Sequence, residues 1–153
     1  LGCGTGIISC FSALNGSKVT STDINPIAIK NVQLNAKSNN LKITTILSDL
    51  FDNIPNQVFN YIIINPPYYP KNAMNDKEKA WFCGENFEYF ERLFNEIKPY
   101  HESNSEIFMI LSEDCEIDKI KSIGSKNKYL FKEVFKINKR REWNYIFRIE
   151  QCL

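Results

Sequence analysis

The sequence predicts an α/β fold, in which a doubly wound and mostly parallel sheet ends in an antiparallel pair of strands. Short apolar or β-branched runs alternate with segments of helical period along most of the chain. Two alternating runs, residues 129–137 and 143–149, close it and are separated by a short polar turn. In folds of this class, ligands bind at the carboxyl ends of the strands, so polar motifs at these ends are candidate binding residues.

The composition is that of a globular protein. Of the 153 residues, 43% are hydrophobic and 24% are charged, which excludes disordered and fibrous classes. A net charge of +1 argues against a strong overall field that would attract nucleic acid. No apolar run is long enough to span a membrane. The cysteines are scattered, odd in number and without a Cys-x-x-Cys pair, so we expect packing residues in a reducing cytoplasm, with no metal site or disulfide.

The chain opens on a glycine-rich loop that leads into a helix. Gly2, Gly4 and Gly6 allow the backbone to approach a ligand closely. The helix is predicted over about residues 6–14 and ends at Asn15-Gly16. Its apolar side carries Ile7, Ile8, Phe11 and Leu14. A plain strand-to-helix turn would look similar, but a dinucleotide-binding loop would need Gly-x-Gly-x-x-Gly, and the spacing here is Gly-x-Gly-x-Gly.

Two further strands end in acidic residues. Residues 18–23 predict a strand with Asp23 at its carboxyl end, about twenty residues beyond the glycines, where a carboxylate can accept both hydroxyls of a ribose. Asp23 also suits a turn before Asn25-Pro26, where Asn25 is predicted to cap a helix. The buried stripe of that helix is Ala28, Ile29, Val32 and Ala36. Residues 41–47 predict the next strand, followed by Asp49 and Leu50.

The chemistry centres on Asn65-Pro66-Pro67-Tyr68. These residues follow the apolar run 61–64, which is typical of a parallel strand buried on both faces. The prolines fix their own φ and have no N–H to donate, so the turn is rigid and keeps its carbonyls as acceptors. The Asn65 side-chain oxygen and the Pro66 carbonyl can therefore accept two N–H bonds from a planar amino group, against which Tyr68 can stack. Taken alone, the same four residues could also be only a rigid turn.

The remaining segments are less specific. The polar segment 69–79 is a candidate substrate lid, and Trp81 and Phe82 either stack on substrate or cover the sheet. A helix is predicted over residues 86–98, ended by Pro99, then a strand over 107–111 and a weaker helix over 115–123. His101 is expected to be solvated and neither a base nor a ligand. The cationic side chains of Lys136, Lys139, Arg140 and Arg141 could contact RNA phosphates or form a solvated turn.

The glycine motif and Asn-Pro-Pro-Tyr, about sixty residues apart and in this order, resemble class I N-methyltransferases that depend on S-adenosylmethionine (SAM). The chain is most similar to the HemK-like, methyltransferase small domain group, over nearly its whole length. The resemblance implies a Rossmann-like sheet and SAM as cofactor, with Asp49 accepting from the adenine amino group and Leu50 against the ring. The implied cofactor-binding residues are Gly2, Cys3, Gly4, Gly6, Asp23, Ile24, Asp49, Leu50 and Asn65, and the implied catalytic residues are Asn65, Pro66, Pro67 and Tyr68.

The sequence departs from the family pattern at its start. Members of this family carry a hydrophobic strand before the glycine loop, in the middle of the sheet and usually ending in an acidic residue, whereas this sequence begins at Leu1. The expectation is therefore one class I methyltransferase domain over residues 1–153, truncated at its amino end and lacking the first central strand.

The resemblance implies methyl transfer to a planar NH₂ nitrogen. The expected substrate is a glutamine side-chain amide of a protein, such as a translation release factor, because the whole chain looks HemK-like. Adenine N6 or guanine N2 in RNA or DNA is the alternative, since the same turn serves both planar groups. A further alternative is an inactive, truncated homologue that still binds SAM.

Overall fold

The computed structural model describes residues 1–139 and 141–152. The chain forms two compact units, Leu1–Pro55 and Asn56–Leu153. Each unit is an α/β assembly with a sheet of its own, and each is described by itself below.

The first unit contains a parallel pair of strands and two helices. Its elements in order are α1 (Ile7–Leu14), β1 (Val19–Asp23), α2 (Pro26–Ser38) and β2 (Ile43–Leu47). Asp23 lies opposite Leu47 in the parallel ladder, so both strands end at the same edge. The predicted start of α2 is confirmed, because the Asn25 side chain accepts a hydrogen bond from the Ile27 N–H. Its predicted stripe is confirmed too, with Ala28, Ile29, Val32 and Ala36 buried.

The apolar side of α1 is exposed. The bounds of this helix match the prediction to within one residue, yet none of its residues is buried. Ile7 is 75% exposed and Phe11 is 67% exposed. Within its unit α1 contacts α2 and the two strands, and these contacts leave its apolar side uncovered.

The second unit is built on a four-stranded mixed sheet. Its main elements are β3 (Tyr61–Ile64), α3 (Glu88–Glu96), β4 (Glu106–Ser112), α4 (Ile117–Lys126), β5 (Tyr129–Lys139) and β6 (Glu142–Gln151). The strand order is β3-β4-β6-β5, with β3 and β4 parallel and β6 antiparallel to both of its neighbours. The predicted closing pair of antiparallel strands is therefore confirmed, and the ladder continues as far as Lys139 opposite Glu142.

One prediction about β3 is wrong. Ile62 and Ile64 are buried, but Tyr61 is 64% exposed and Ile63 is 39% exposed, so the strand is not buried on both faces. The physical reason is that successive side chains point to opposite faces, and only the face that carries Ile62 and Ile64 belongs to the core. The core of the unit lies on one face of the sheet. The buried side chains of that face are Ile62, Ile64, Ile107, Met109, Leu111, Phe147 and Ile149. The helices add the buried stripes Phe90, Leu93 and Phe94 of α3 and Ile120 and Ile123 of α4.

Three local predictions in this unit also need correction. The helix α3 begins later than predicted because Phe87 adopts a left-handed φ of 63°. Pro99 lies in a separate short 3₁₀ helix, Lys98–Tyr100, after α3 has ended. His101 is half-buried rather than solvated, and its Nε2 lies 2.8 Å from the Tyr129 hydroxyl. Among the described residues, no helix is both long and apolar enough to cross a membrane.

Candidate active site

The glycine loop lies beside the carboxyl end of β1. The Cys3 N–H donates to the Thr22 carbonyl over 2.9 Å, and Gly6 N–H donates to the Cys3 carbonyl over 2.8 Å. Gly2, Gly4 and Gly6 all have positive φ, a conformation that other residues adopt only with strain. A Cβ on Gly6 would lie 2.7 Å from Val32 Cγ2, whereas a Cβ on Gly4 would meet nothing within 4 Å. The loop therefore packs tightly against α2 at Gly6 and leaves space for a ligand at Gly4.

Asp23 is fixed by main-chain donors on both carboxylate oxygens. Its Oδ2 accepts from the Gly4 N–H over 2.9 Å and its Oδ1 accepts from the Asn25 N–H over 2.9 Å. Because an ionised carboxylate has about four acceptor positions, each oxygen keeps capacity for a ribose hydroxyl. Burial, followed by the nearby Asp23 carboxylate, raises the pKa of the Cys3 thiol to about 11, so this neighbour stays uncharged. Ile24, the next residue, is partly exposed beside them.

Asp49 and Leu50 follow the end of β2. The Ser48 N–H donates to the Asp23 carbonyl over 2.9 Å and thus joins the two strand ends. The Ser48 hydroxyl donates to the Leu50 carbonyl over 3.0 Å. Leu50 is buried at a left-handed φ of 46°, and Asp49 is partly exposed. The first unit thus gathers its predicted cofactor residues at one edge, and this set of carboxylates, main-chain groups and apolar side chains fits a nucleoside with no phosphate, as in SAM.

The predicted acceptor turn directly follows β3 in the second unit. Asn65 is exposed and Pro66 is buried. In residues 56–139 and 141–152, no hydrogen bond involves the Asn65 side chain or the Pro66 carbonyl. Two adjacent oxygen acceptors are thus left for an external donor. A planar NH₂ group, with two N–H bonds, is a suitable donor.

Tyr68 lies at the end of the turn, partly exposed. Its ring centroid is 4.7 Å from that of Tyr69, with the planes tilted by 58°. Burial, followed by the neighbouring Tyr69, raises the pKa of the Tyr68 hydroxyl to about 12. The ring is therefore neutral at physiological pH, and it can stack or donate a hydrogen bond.

Main-chain hydrogen bonds that the sequence did not predict hold this turn. We name residues 69–85 the strap. The Trp81 carbonyl accepts the Tyr68 N–H over 3.1 Å and the Tyr69 N–H over 3.0 Å, and the Cys83 N–H donates to the Tyr69 carbonyl over 2.9 Å. Hydrogen bonds between irregular segments produce no periodic pattern of apolar residues, so the sequence pattern does not predict them. Gly84, with a φ of 89°, was the one available signal. Trp81 is 59% exposed, so it does not cover the sheet.

The predicted basic cluster is only partly described. Lys136 Nζ lies 5.7 Å from the Trp143 ring centroid and 3.9 Å from Glu133 Oε1. Lys139 lies opposite Glu142 in the ladder, and Glu142 accepts a hydrogen bond from the Ser112 hydroxyl. Arg140, which belonged to this prediction, is outside the described residues. The described lysines are therefore interleaved with carboxylates. In the part of the chain that the structure covers, no group of three or more His, Cys, Asp or Glu could hold a metal ion.

Known proteins match this chain over most of its length. The family model of the methyltransferase small domain matches residues 1–119. A relative from Methanocaldococcus jannaschii, which carries the provisional name protein N5-glutamine methyltransferase, is 34% identical over 82% of this chain and 68% of its own length. The release factor glutamine methyltransferase of Aquifex aeolicus is 34% identical over 47% of this chain. The ribosomal RNA small subunit methyltransferase C of Buchnera aphidicola is 34% identical over 49%.

The matched segment spans 27% of the Aquifex relative and 24% of the Buchnera relative. Among solved structures, the magnesium protoporphyrin IX methyltransferase of Synechocystis with bound SAM has a TM-score of 0.72 at 14% identity, over 99% of this chain and 67% of that one. This likeness confirms the predicted fold class. The family match and the archaeal relative confirm the resemblance found in the motifs: the chain belongs to the HemK-like methyltransferase small domain family and is a SAM-dependent methyltransferase with a Rossmann-like fold.

Proposed function

We propose that this chain methylates the side-chain amide of a glutamine in a protein, and that a translation release factor is the first substrate to test. The observation that carries the proposal is the pair of oxygen acceptors at Asn65 and Pro66, which make no hydrogen bond within the described part of their unit. Residues 1–153 act in this proposal as one methyltransferase domain.

The first unit binds the cofactor in this proposal. SAM supplies a methyl group that is already activated on a sulfonium. Asp23 accepts the ribose hydroxyls, for which its main-chain donors hold it in place. Asp49 accepts from the adenine amino group, and Leu50 packs on the ring. The loop of Gly2, Cys3, Gly4 and Gly6 lets the backbone approach the ligand, and Ile24 adds apolar contact.

The second unit orients the acceptor nitrogen. Asn65 Oδ1 and the Pro66 carbonyl accept the two N–H bonds of the amide, which raises the electron density on nitrogen and aligns it for attack. The same acceptors stabilise the positive charge that develops on nitrogen during transfer. Pro67 keeps the turn rigid, and Tyr68 packs its neutral ring against the amide plane. As the N–C bond forms, the C–S bond of the sulfonium would break and its sulfur would leave as a neutral thioether, and the methylated nitrogen would then pass one N–H proton to water. Because the acceptors stabilise the positive charge until that proton is lost, the reaction needs no strong general base.

The named relatives support glutamine as the acceptor. The relative that aligns over most of this chain is named for a glutamine in protein, and a second is named for release factors. An exocyclic amino group of adenine or guanine is the second candidate, supported by the relatives named for ribosomal RNA. In a duplex that reaction would require flipping the base out of the stack. The turn itself accepts either planar group.

Isotopic labelling distinguishes these substrates. The chain is incubated with methyl-labelled SAM and an extract from cells that lack the native enzyme, and the product is digested with protease or with nuclease. We expect protease-sensitive label, located on a glutamine by mass spectrometry. Nuclease-sensitive label would replace the proposal with the second candidate. SAM binding without any labelled product would point to an inactive homologue.

A further inference from the structure

The main chain of Trp81 is hydrogen-bonded to the end of the acceptor turn. Its carbonyl accepts the N–H groups of Tyr68 and Tyr69, and its own N–H donates to the Glu78 carbonyl over 2.9 Å. Since Pro66 and Pro67 restrict the backbone before Tyr68, these bonds hold the main chain of Trp81 beside the end of the turn. The Trp81 side chain therefore starts from a main-chain position next to the turn.

The Trp81 indole has no partner in the described residues of its unit. The ring is 59% exposed, and no ring stacking or hydrogen bond of the indole occurs in residues 56–139 and 141–152. Met74, which is 85% exposed, is the other large apolar side chain that the strap exposes. A rigid aromatic ring with a spare N–H donor is typical of the residues that dominate protein recognition, and methionine adapts to varied apolar surfaces.

The charges of the strap favour polypeptide over nucleic acid. Residues 69–85 contain three lysines and three acidic residues, so their net charge is zero. Lys79 pairs with Asp76 over 2.9 Å, and Lys71 Nζ lies 4.9 Å from the Phe82 ring centroid. The strap therefore has no net positive charge that would attract a phosphate backbone, whereas affinity for nucleic acid depends largely on such attraction.

We propose that Trp81 is a specificity-determining residue, whose indole binds the polypeptide beside the target glutamine. The inference rests on the proposed function and deepens it by assigning the contact that selects a peptide. It gives the strap a binding role distinct from the hydrogen bonds that Asn65 and Pro66 make to the reacting amide.

The chain offers a direct optical test, because it has two tryptophans, Trp81 and Trp143. A Trp143→Phe variant emits from Trp81 alone, and the matched control Trp81→Phe emits from Trp143 alone. Each is titrated, in the presence of SAM, with a synthetic peptide centred on a glutamine of a release factor and with a single-stranded oligonucleotide. We expect the peptide to change the intensity or wavelength of Trp81 emission only, and the oligonucleotide to change neither.

Kinetics provide the second measurement. In Trp81→Ala we expect KM for the peptide to rise on the order of 10-fold, with kcat and SAM affinity nearly unchanged, and Trp81→Phe to recover part of the loss. If the chain methylates the peptide but the peptide does not change Trp81 emission, this inference is overturned and the proposed function is not. A Trp81 response to the oligonucleotide, with no methylated peptide, would overturn the proposed function and the peptide assignment together.

Discussion

At the acceptor turn, we expect the amide to be bound by one side-chain oxygen, that of Asn65, and one main-chain oxygen, that of Pro66. The Pro66 carbonyl is oriented by a ring that fixes φ, and no side-chain substitution removes it. The Asn65 oxygen can be removed, and the exposed amide makes no hydrogen bond with described residues of its unit whose loss would unfold the protein. Asn65 is therefore the position at which the chemistry can be separated from the fold.

Replacing Asn65 with alanine tests the acceptor role. We expect Asn65→Ala to lower kcat on the order of 10²-fold, because the transition state loses one oriented dipole, with a smaller change in SAM affinity. Initial rates with labelled SAM and calorimetry of SAM binding measure the two effects. Asn56→Ala, an exposed asparagine in the same unit, should leave both unchanged. Turnover equal to that of the wild type would remove Asn65 from the mechanism.

Asp23 should affect binding rather than turnover. We expect Asp23→Ala to weaken SAM binding by roughly 10- to 100-fold, since charge-assisted hydrogen bonds to the ribose are lost. Calorimetry measures this, and circular dichroism confirms that the variant remains folded. Asp114→Ala, which removes an exposed carboxylate, is the control. An unchanged dissociation constant for SAM in folded Asp23→Ala protein would contradict the assignment.

Among the elements, α2 depends on the glycine loop for its packing. A Cβ at Gly6 would lie 2.7 Å from Val32 Cγ2, and Val32 is fully buried. We expect Gly6→Ala to destabilise the protein by about 1–3 kcal/mol, from overpacking together with a positive φ of 81°. Urea unfolding measures the loss. Shortening Val32 to alanine in the same chain should remove the closest of these contacts, so the double variant should lose less than the sum of the two single variants.

The elements that were predicted well are those specified by local signals. The start of α2 follows from Asn25 and Pro26, and its buried face from the spacing of its apolar residues. The later start of α3 was missed because Phe87 adopts a left-handed conformation that its residue type does not favour. The exposure of Tyr61 and Ile63 was missed for a different reason. An apolar run does not tell which of its faces will be covered.

For the site, side chains were predictable and main-chain contacts were not. Asp23 was expected at the end of its strand because the order of strand and helix determines that position. Nothing in the sequence indicated that its two oxygens would bind the N–H groups of Gly4 and Asn25. The hydrogen bonds from Tyr68 and Tyr69 to the Trp81 carbonyl could not be predicted for the same reason, since a main-chain carbonyl is common to every residue.

At the scale of the whole molecule, a single histidine should make stability fall on mild acidification. His101 is the one histidine of the chain, and burial lowers its pKa from the ordinary value of 6.5. The unfolded chain therefore takes up a proton at a higher pH than the folded protein does. Stability from this group is complete above about pH 6.5 and is lost as the pH falls through the folded pKa.

We accordingly expect a lower urea midpoint at pH 5.5 than at pH 7.5. His101→Gln should show a smaller difference between these two conditions, because glutamine does not titrate. Equal differences in both proteins would mean that other groups cause the effect. The neighbouring hydroxyl of Tyr129, whose pKa burial raises to about 12, stays protonated in both conditions.

The two hydrogen bonds that the Trp81 carbonyl accepts also allow the opening of the substrate side of the protein to be measured by hydrogen exchange. The Trp81 carbonyl cannot move away from the turn without releasing the N–H groups of Tyr68 and Tyr69 together. Because Pro66 and Pro67 have no amide hydrogen, these two are the first exchangeable amides after Asn65. Their deuterium exchange should therefore report one common free energy of opening, once each rate is divided by the intrinsic rate of that amide, and should slow together when a bound substrate stabilises this contact.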